Sequence, residues 1–396
     1  MKNFEIFKNK KLFDKPIRFR GKRIEYKDNF VKVGKHFSGN SPPEIFVGRY
    51  NYPNVNAGVL SPNSFEGSEE MSMPELWHAK KFSIGKILER RNKLIYGRFK
   101  ASVKKNSGKF LDVMKEVSMA YKPVSTEFFL KNNVKRKLEI NRHSPLISNL
   151  APLENLRLQE NPKIKKKVDY LVGDVHSKSV DTIKELYSSN ISVSNVIKIL
   201  SAGLLGLESK RKLVPTRWSI TAVDDTLSKE MLKKIRYYPE IGDIELFHAE
   251  YNGNHYEILL IPRFWSFEVI EAEIKLNEVK FWQDHESFHG RKNYASNVTG
   301  GYYAVKLAAC EYLDRVKRQA SVLILREVTP RYYAPLGVGI LRECCRGAFL
   351  EKSEKFDNLS DAFERIQERI NLNVDVFKER SELLKELGQR RLMEWF

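Results

Sequence analysis

The sequence predicts an α+β protein of two domains, a mixed sheet with flanking helices, closed by a flexible C-terminal tail. Three observations carry this. The chain has 396 residues, room for two or three domains of roughly 100–200 residues each. Asn252-Gly253 separates two apolar-rich runs, 244–251 and 255–261, which is the strongest short-range hairpin signal. Segments with helical period stand on both sides of that hairpin in the chain.

Taken in order, residues 1–45 form a basic arm ending in Ser41-Pro42-Pro43, with at most a strand around 17–26. Residues 46–63, rich in Gly, Pro, Asn and Tyr, read as a structured loop. Ser72 as N-cap and Pro74 in the first turn start a helix, which Leu76, Phe82, Ile84, Ile87, Leu88 and Leu94 carry to about residue 96. A second helix covers 110–121. Pro145, Pro152 and Pro162 make 143–162 an extended connector. Helices follow at 179–187 and 193–200, then a strand at 217–223 and a helix at 227–237. After the hairpin, 265–274 is a third strand. The polar, glycine-containing stretch 281–301 marks a boundary between domains 46–285 and 286–387. The second domain holds a helix at 302–318, a strand at 320–328, a turn-rich 330–339 segment, and amphipathic helices at 359–372 and 374–387. Residues 388–396 are the tail.

Lys and Arg number 69 against 50 Asp and Glu, a net charge of +19. Neutralising phosphate is what such an excess does best, so nucleic acid is the leading partner. The charges are spread along the chain with no dominant basic amphipathic helix, which disfavours a membrane surface. No apolar run approaches the roughly 20 residues of a membrane span, and residues 1–11 lack a signal peptide's apolar core. Three cysteines, Cys310, Cys344 and Cys345, exclude a disulfide framework and a four-cysteine zinc site. The expected location is cytoplasmic.

There is no phosphate-binding Gly-x-x-x-x-Gly-Lys-Ser/Thr string and no Gly-x-Ser-x-Gly elbow. His285-Glu286-Ser287-Phe288-His289 matches His-Glu-x-x-His, but that chemistry needs a continuous helix and a third ligand. Gly290 follows at once, so the string reads as a surface loop with two histidines. No metal or cofactor is assigned.

Two clusters are more informative. In 213–225, Trp218, Ile220 and Ala222 alternate with Arg217, Ser219 and Thr221 as in a half-buried strand, with Asp224-Asp225 at its end. Such a strand is either core with a helix cap, or a polar site in which Arg217 holds a phosphate while Asp224 or Asp225 acts as base or metal ligand, with Ser219 beside them. In 46–58, Arg49, Tyr52 and Asn54 belong to an aromatic and basic mixture of the sort that stacks bases and pairs phosphates, or else to ordinary turns with packed tyrosines. The Arg-Glu steps of 326–346 read as internal salt bridges.

The last eight residues, Gln389-Arg390-Arg391-Leu392-Met393-Glu394-Trp395-Phe396, have the Gln-x-x-aliphatic-x-x-aromatic-aromatic pattern of peptides that dock on DNA sliding clamps. A single 3₁₀-like turn brings Leu392, Trp395 and Phe396 into one apolar plug, and leaves Gln389 to hydrogen-bond in a side pocket. Gly388 ends the preceding helix.

With 46–58, 213–225, Gly300-Gly301-Tyr302-Tyr303 and the terminal 389–396, the chain resembles the archaeal Nre family of DNA repair proteins from about Pro42 to the end. The resemblance implies a larger N-terminal and a smaller C-terminal domain, a role in DNA damage repair, and recruitment by the sliding clamp (PCNA). Some members carry an N-terminal cysteine cluster; residues 1–45 here contain no cysteine, so that feature is not carried over. The resulting expectation is a repair factor that binds DNA through Arg49, Tyr52, Asn54 and Arg217 and the clamp through Gln389, Leu392, Trp395 and Phe396. The alternative is an enzyme that processes damaged DNA or a nucleotide at a pocket around Arg217, Ser219, Asp224 and Asp225.

Overall fold

The computed structural model describes residues 33–105, 107–136, 149–275 and 278–388. These divide into two compact units, 33–230 with 334–340, and 231–333 with 341–388. Each is built on a mixed sheet with flanking helices, so the expected α+β class holds with two sheets where the sequence predicts one.

In the first unit the chain runs β1 (His36–Ser41), β2 (Glu44–Val47), β3 (Asn54–Pro62), α1 (Pro74–Ala79), α2 (Ile84–Arg91), β4 (Leu94–Ser102), α3 (Lys109–Met119), β5 (Val124–Leu130), β6 (Lys135–Arg136), β7 (Asn149–Leu158), α4 (Lys166–Gly173), α5 (Ser179–Ser188) and α6 (Val193–Ser201), before α7 (Thr216–Ile235). The sheet order is β1-β5-β7-β4-β3-β2, with β6 on β7. Among the described residues of this sheet, only β4 and β7 pair in parallel. Helix α3 lies on β2, β3 and β7, and turns Leu111, Met114 and Val117 inward at the three- and four-residue spacing of one helix face.

Five expectations for the first unit need correcting. The basic arm contributes β1 and the first half of β2 in its last residues; its earlier part, including 17–26, lies outside the described residues. The loop reading of 46–63 holds only for the turn at 48–53, because 54–62 is strand β3. Gly58 is required there: a Cβ on it would lie 1.9 Å from the Gly97 carbonyl oxygen of β4. The helix expected from 72 to 96 is two short ones and the start of β4. Met73 rather than Ser72 is the N-cap of α1, and the Ser72 hydroxyl instead donates to the Pro42 carbonyl at 3.1 Å. Ser83 caps α2 by accepting the Lys86 amide.

The proline-marked connector 143–162 contains a central strand, β7. Proline is excluded from a strand interior because it lacks an N–H. Pro152, however, is the last residue that β7 pairs with β4, and from Leu153 onward the strand pairs with β5 across a register shift. The prolyl residue thus sits where the strand changes partner.

The strand expected at 217–223 is the first part of the 20-residue helix α7. Trp218, Ile220 and Ala222 alternate by accident and remain at least partly exposed. The buried residues, Ser219, Val223, Asp224, Leu227 and Ser228, recur at the helical three to five residues.

The second unit holds β8 (Ile244–Tyr251), β9 (Asn254–Ile261), β10 (Ser266–Ile274), β11 (Val279–Glu286), α8 (Gly300–Val316), β12 (Ser321–Val328), α9 (Val338–Ala348), β13 (Glu354–Phe356), α10 (Leu359–Arg369), α11 (Asp375–Lys378) and α12 (Glu382–Gly388). The order is β11-β10-β12-β9-β8-β13, with β10 and β12 parallel. Asn252 and Gly253 make the hairpin turn as expected, both with positive φ (53° and 80°). On one face Phe267 meets Tyr302 of α8, ring centroids 5.1 Å apart. On the other, Leu246, Leu259, Ile270, Leu323 and Leu325 form a core with Phe363, Ile366, Phe377 and Leu383 from the C-terminal helices.

The polar stretch 281–301 begins as β11, and the single helix expected at 374–387 is split. Ser381 lies in the break and donates to Glu268 at 2.5 Å, while the amides of Glu382 and Leu383 donate to the same carboxylate at 3.0 Å. A buried glutamate thereby caps α12, the helix that ends at Gly388.

Candidate functional site

Three segments of the first unit are tied together by their backbones. The Val103 amide donates to the Pro53 carbonyl (2.9 Å), and the Leu213 amide donates to the Val103 carbonyl (3.1 Å). The Val47 amide donates to Oγ1 of Thr216, the first residue of α7 (2.9 Å). The turn after β2, the end of β4 and the start of α7 therefore meet.

What they present is aromatic and basic. The Tyr52 and Trp218 rings lie 5.2 Å apart at 50° and are 44% and 45% exposed, with Tyr50 71% exposed nearby in the same turn. Tyr237 and Tyr170, elsewhere on the chain, are more exposed than either ring of this pair; what marks this turn is that two exposed rings from distant segments stand together. The Arg49 guanidinium lies 5.3 Å from the Tyr50 ring centre, Asn54 is exposed, and Lys104 and Lys105 are exposed in the turn at the end of β4. Arg217 is partly exposed beside Trp218 in sequence. Stacking surfaces with cations around them suit a polyanion carrying flat rings.

The other sequence candidates separate. Along a helix of 3.6 residues per turn, Arg217 and Ser219 point about 200° apart. Ser219 and Asp224 are fully buried, and Asp225 is held by Lys229 at 2.6 Å. Residues 389–396, with Gln389, Leu392, Trp395 and Phe396, lie outside the described residues.

In the second unit, His285-Glu286 is strand rather than helix or loop, so the two side chains take opposite faces. Glu286 is buried and accepts from Trp265, Tyr302 and Lys306 at 2.8–3.2 Å or closer, the Lys306 Nζ at 2.7 Å. The Arg-Glu steps of 326–346 are internal salt bridges, as read from sequence: Arg326 pairs with Glu271 at 2.6 Å and Arg346 with Glu311 at 2.5 Å. Among the described residues, one group brings three potential metal-ligating atoms within 4.8 Å of one another: His248, His255 and Glu257. Burial alone would raise the Glu257 carboxyl, but hydrogen bonds from His248 and His255 and the charges of His255 and Arg369 hold it below its ordinary value.

Sequence reasoning missed Lys104, Lys105 and the exposed role of Trp218, because the alternation at 217–222 masked a helix. It also missed the histidine pair, although the hairpin register that Asn252-Gly253 dictates already sets His248 opposite Glu257.

The described residues thus define a two-unit α+β protein with a mixed sheet in each unit. The N-terminal model of the archaeal Nre family matches residues 16–277 and its C-terminal model matches 286–396, so the chain belongs to the Nre family. It is 35% identical to the DNA repair protein NreB of Archaeoglobus fulgidus over 371 residues, 92% of this chain and 93% of that one. It is 36% identical to the DNA repair protein NreA of the same organism (86% and 87% covered) and 31% identical to NreA of Haloferax volcanii (90% and 89%). No solved structure matches the chain. No helix among the described residues is long and apolar enough to cross a membrane.

Proposed function

We propose that this chain is a DNA repair factor that binds DNA through the face formed by Arg49, Tyr52, Asn54, Arg217 and Trp218, and is recruited by the sliding clamp through its C-terminal motif. The repair role is supported by the relatives, three of which are named DNA repair proteins. The single observation that carries the DNA-binding reading is the Tyr52–Trp218 pair, exposed although its members come from distant segments, with Arg49 in the same turn as Tyr52 and Arg217 next to Trp218 in sequence. Bases stack on the rings, and Arg49, Lys104, Lys105 and Arg217 hold phosphates.

The clamp reading rests on the spacing of Gln389, Leu392, Trp395 and Phe396. Burying the three apolar side chains yields about 5–9 kcal/mol gross, and the cost of ordering the segment on its partner reduces this to a micromolar-class contact. The capped α12, with Leu383 buried in the core, supplies a fixed base from which such a tail starts.

Titrating a labelled single-stranded oligonucleotide, read by anisotropy, tests the reading. Removing one stacked base costs about 1–3 kcal/mol, so Tyr52→Ala and Trp218→Ala should each weaken binding roughly 5- to 150-fold. Affinities of both variants equal to wild type would exclude this face as the DNA site.

A further inference from the structure

We propose that His248, His255 and Glu257 form a binding site for one divalent first-row transition ion of the zinc type. The three residues come from the two strands of one hairpin. Pairing of β8 with β9 sets His248 directly opposite Glu257, and His255 stands two residues before Glu257 in β9, so all three share one face of the sheet. His255 Nε2 lies 2.7 Å and His248 Nδ1 3.4 Å from the same carboxylate oxygen, Glu257 Oε1, and the two imidazole centres are 4.7 Å apart. An ion bound at about 2.0–2.2 Å by such atoms needs them roughly 3.3 Å apart, which small rotations of the imidazoles supply.

The donor set selects the ion. Two imidazoles and one carboxylate suit zinc and its first-row neighbours, whereas magnesium and calcium take oxygen ligands. Three protein ligands leave a position open. His248, whose side chain is 38% exposed, forms the mouth on the solvent side, while Glu257 is fully buried. Water completes the coordination through that mouth.

The surroundings hold the carboxylate in place. Arg369 of α10 donates to the other oxygen, Glu257 Oε2, at 3.2 Å, and is itself held by Glu354 of β13. That leaves Oε1 turned toward the imidazoles, the arrangement by which a neighbouring hydrogen bond orients a metal ligand. The same sheet face carries Leu246, Leu259 and Ile261, and two further buried carboxylates, Glu327 opposite His255 and Glu268, each of which accepts backbone amides of the C-terminal segment. Glu257 differs from those two in what its free oxygen faces: two imidazoles rather than backbone amides, the donor set that a first-row transition ion takes.

The test uses the untagged full chain, stripped with a chelator and titrated calorimetrically with zinc chloride, with cobalt(II) added in parallel for its visible absorption. The expected result is one ion per chain with micromolar or tighter affinity, and a cobalt spectrum of low-coordinate type. His248→Ala removes an exposed side chain and leaves the fold intact; it should weaken binding at least ~10-fold, as should Glu257→Gln. His285→Ala, outside the site, should bind like wild type. Absence of stoichiometric binding to the wild type would overturn the proposal, as would His248→Ala and His255→Ala variants that bind zinc as tightly as wild type.

Discussion

Thr216 Oγ1 accepts the Val47 amide at 2.9 Å, and this bond fixes the first residue of α7 against the strand that leads into the Arg49–Tyr52 turn. The same oxygen lies 3.0 Å from the Ser201 hydroxyl, which also donates to the Val214 carbonyl at 2.8 Å. The position of Trp218 relative to Tyr52 follows from this small network rather than from contact between the rings alone.

Thr216→Val keeps the side-chain shape and removes the acceptor, which leaves the buried Val47 N–H unpaired. The loss should be about 1–3 kcal/mol of stability, measured by urea unfolding of the first unit. Oligonucleotide affinity should fall by less than in Trp218→Ala, because the aromatic surface survives while its placement loosens.

His78 gives the first unit a pH dependence. Burial, with Lys81 nearby, lowers its imidazole from 6.5 to about 4. An unfolded chain therefore takes up the proton before the folded one does. The contribution is fully present above pH 6.5 and is lost as the pH falls through about 4. Discounted for a partly exposed residue, it amounts to about 1–2 kcal/mol. Comparing unfolding of wild type and His78→Leu between neutral pH and this range should show a shallower acid loss in the variant.

The terminal motif is tested by titration calorimetry against the host's sliding clamp. The wild type should bind with micromolar affinity, and the Leu392→Ala/Trp395→Ala/Phe396→Ala variant should show no measurable heat. Equal binding by the two proteins would remove the tail from the recruitment account.

Much of the second unit was legible in the sequence, because its signals are local. Asn252-Gly253 permits positive φ at both turn positions, and the 244–274 strands are long apolar runs with little else to be. In the first unit, tertiary context overrode local chemistry. Pro152 is a breaker by composition, yet it sits at a change of strand partner, where a missing N–H costs nothing. Phe82 and Ile84 fit one helix with Leu76 by period, but Lys81 takes a positive φ (50°) and ends α1. At 217–222 three alternating apolar residues outweighed the longer helical stripe through Val223 and Leu227, so the two aromatic clusters were found separately and their meeting was not. The histidine pair needed only the hairpin register, which the sequence already contained.

Trp218 fluorescence tests the central claim most directly. Stacking of a base on the exposed indole should quench emission as single-stranded DNA is added, and Trp218→Phe, which keeps a ring for stacking, should retain most of the affinity while losing most of that quench. The protein has five tryptophans, so an identical quench in Trp218→Phe would place the DNA at another of them, and no quench in either protein at saturating DNA would contradict stacking at this face altogether.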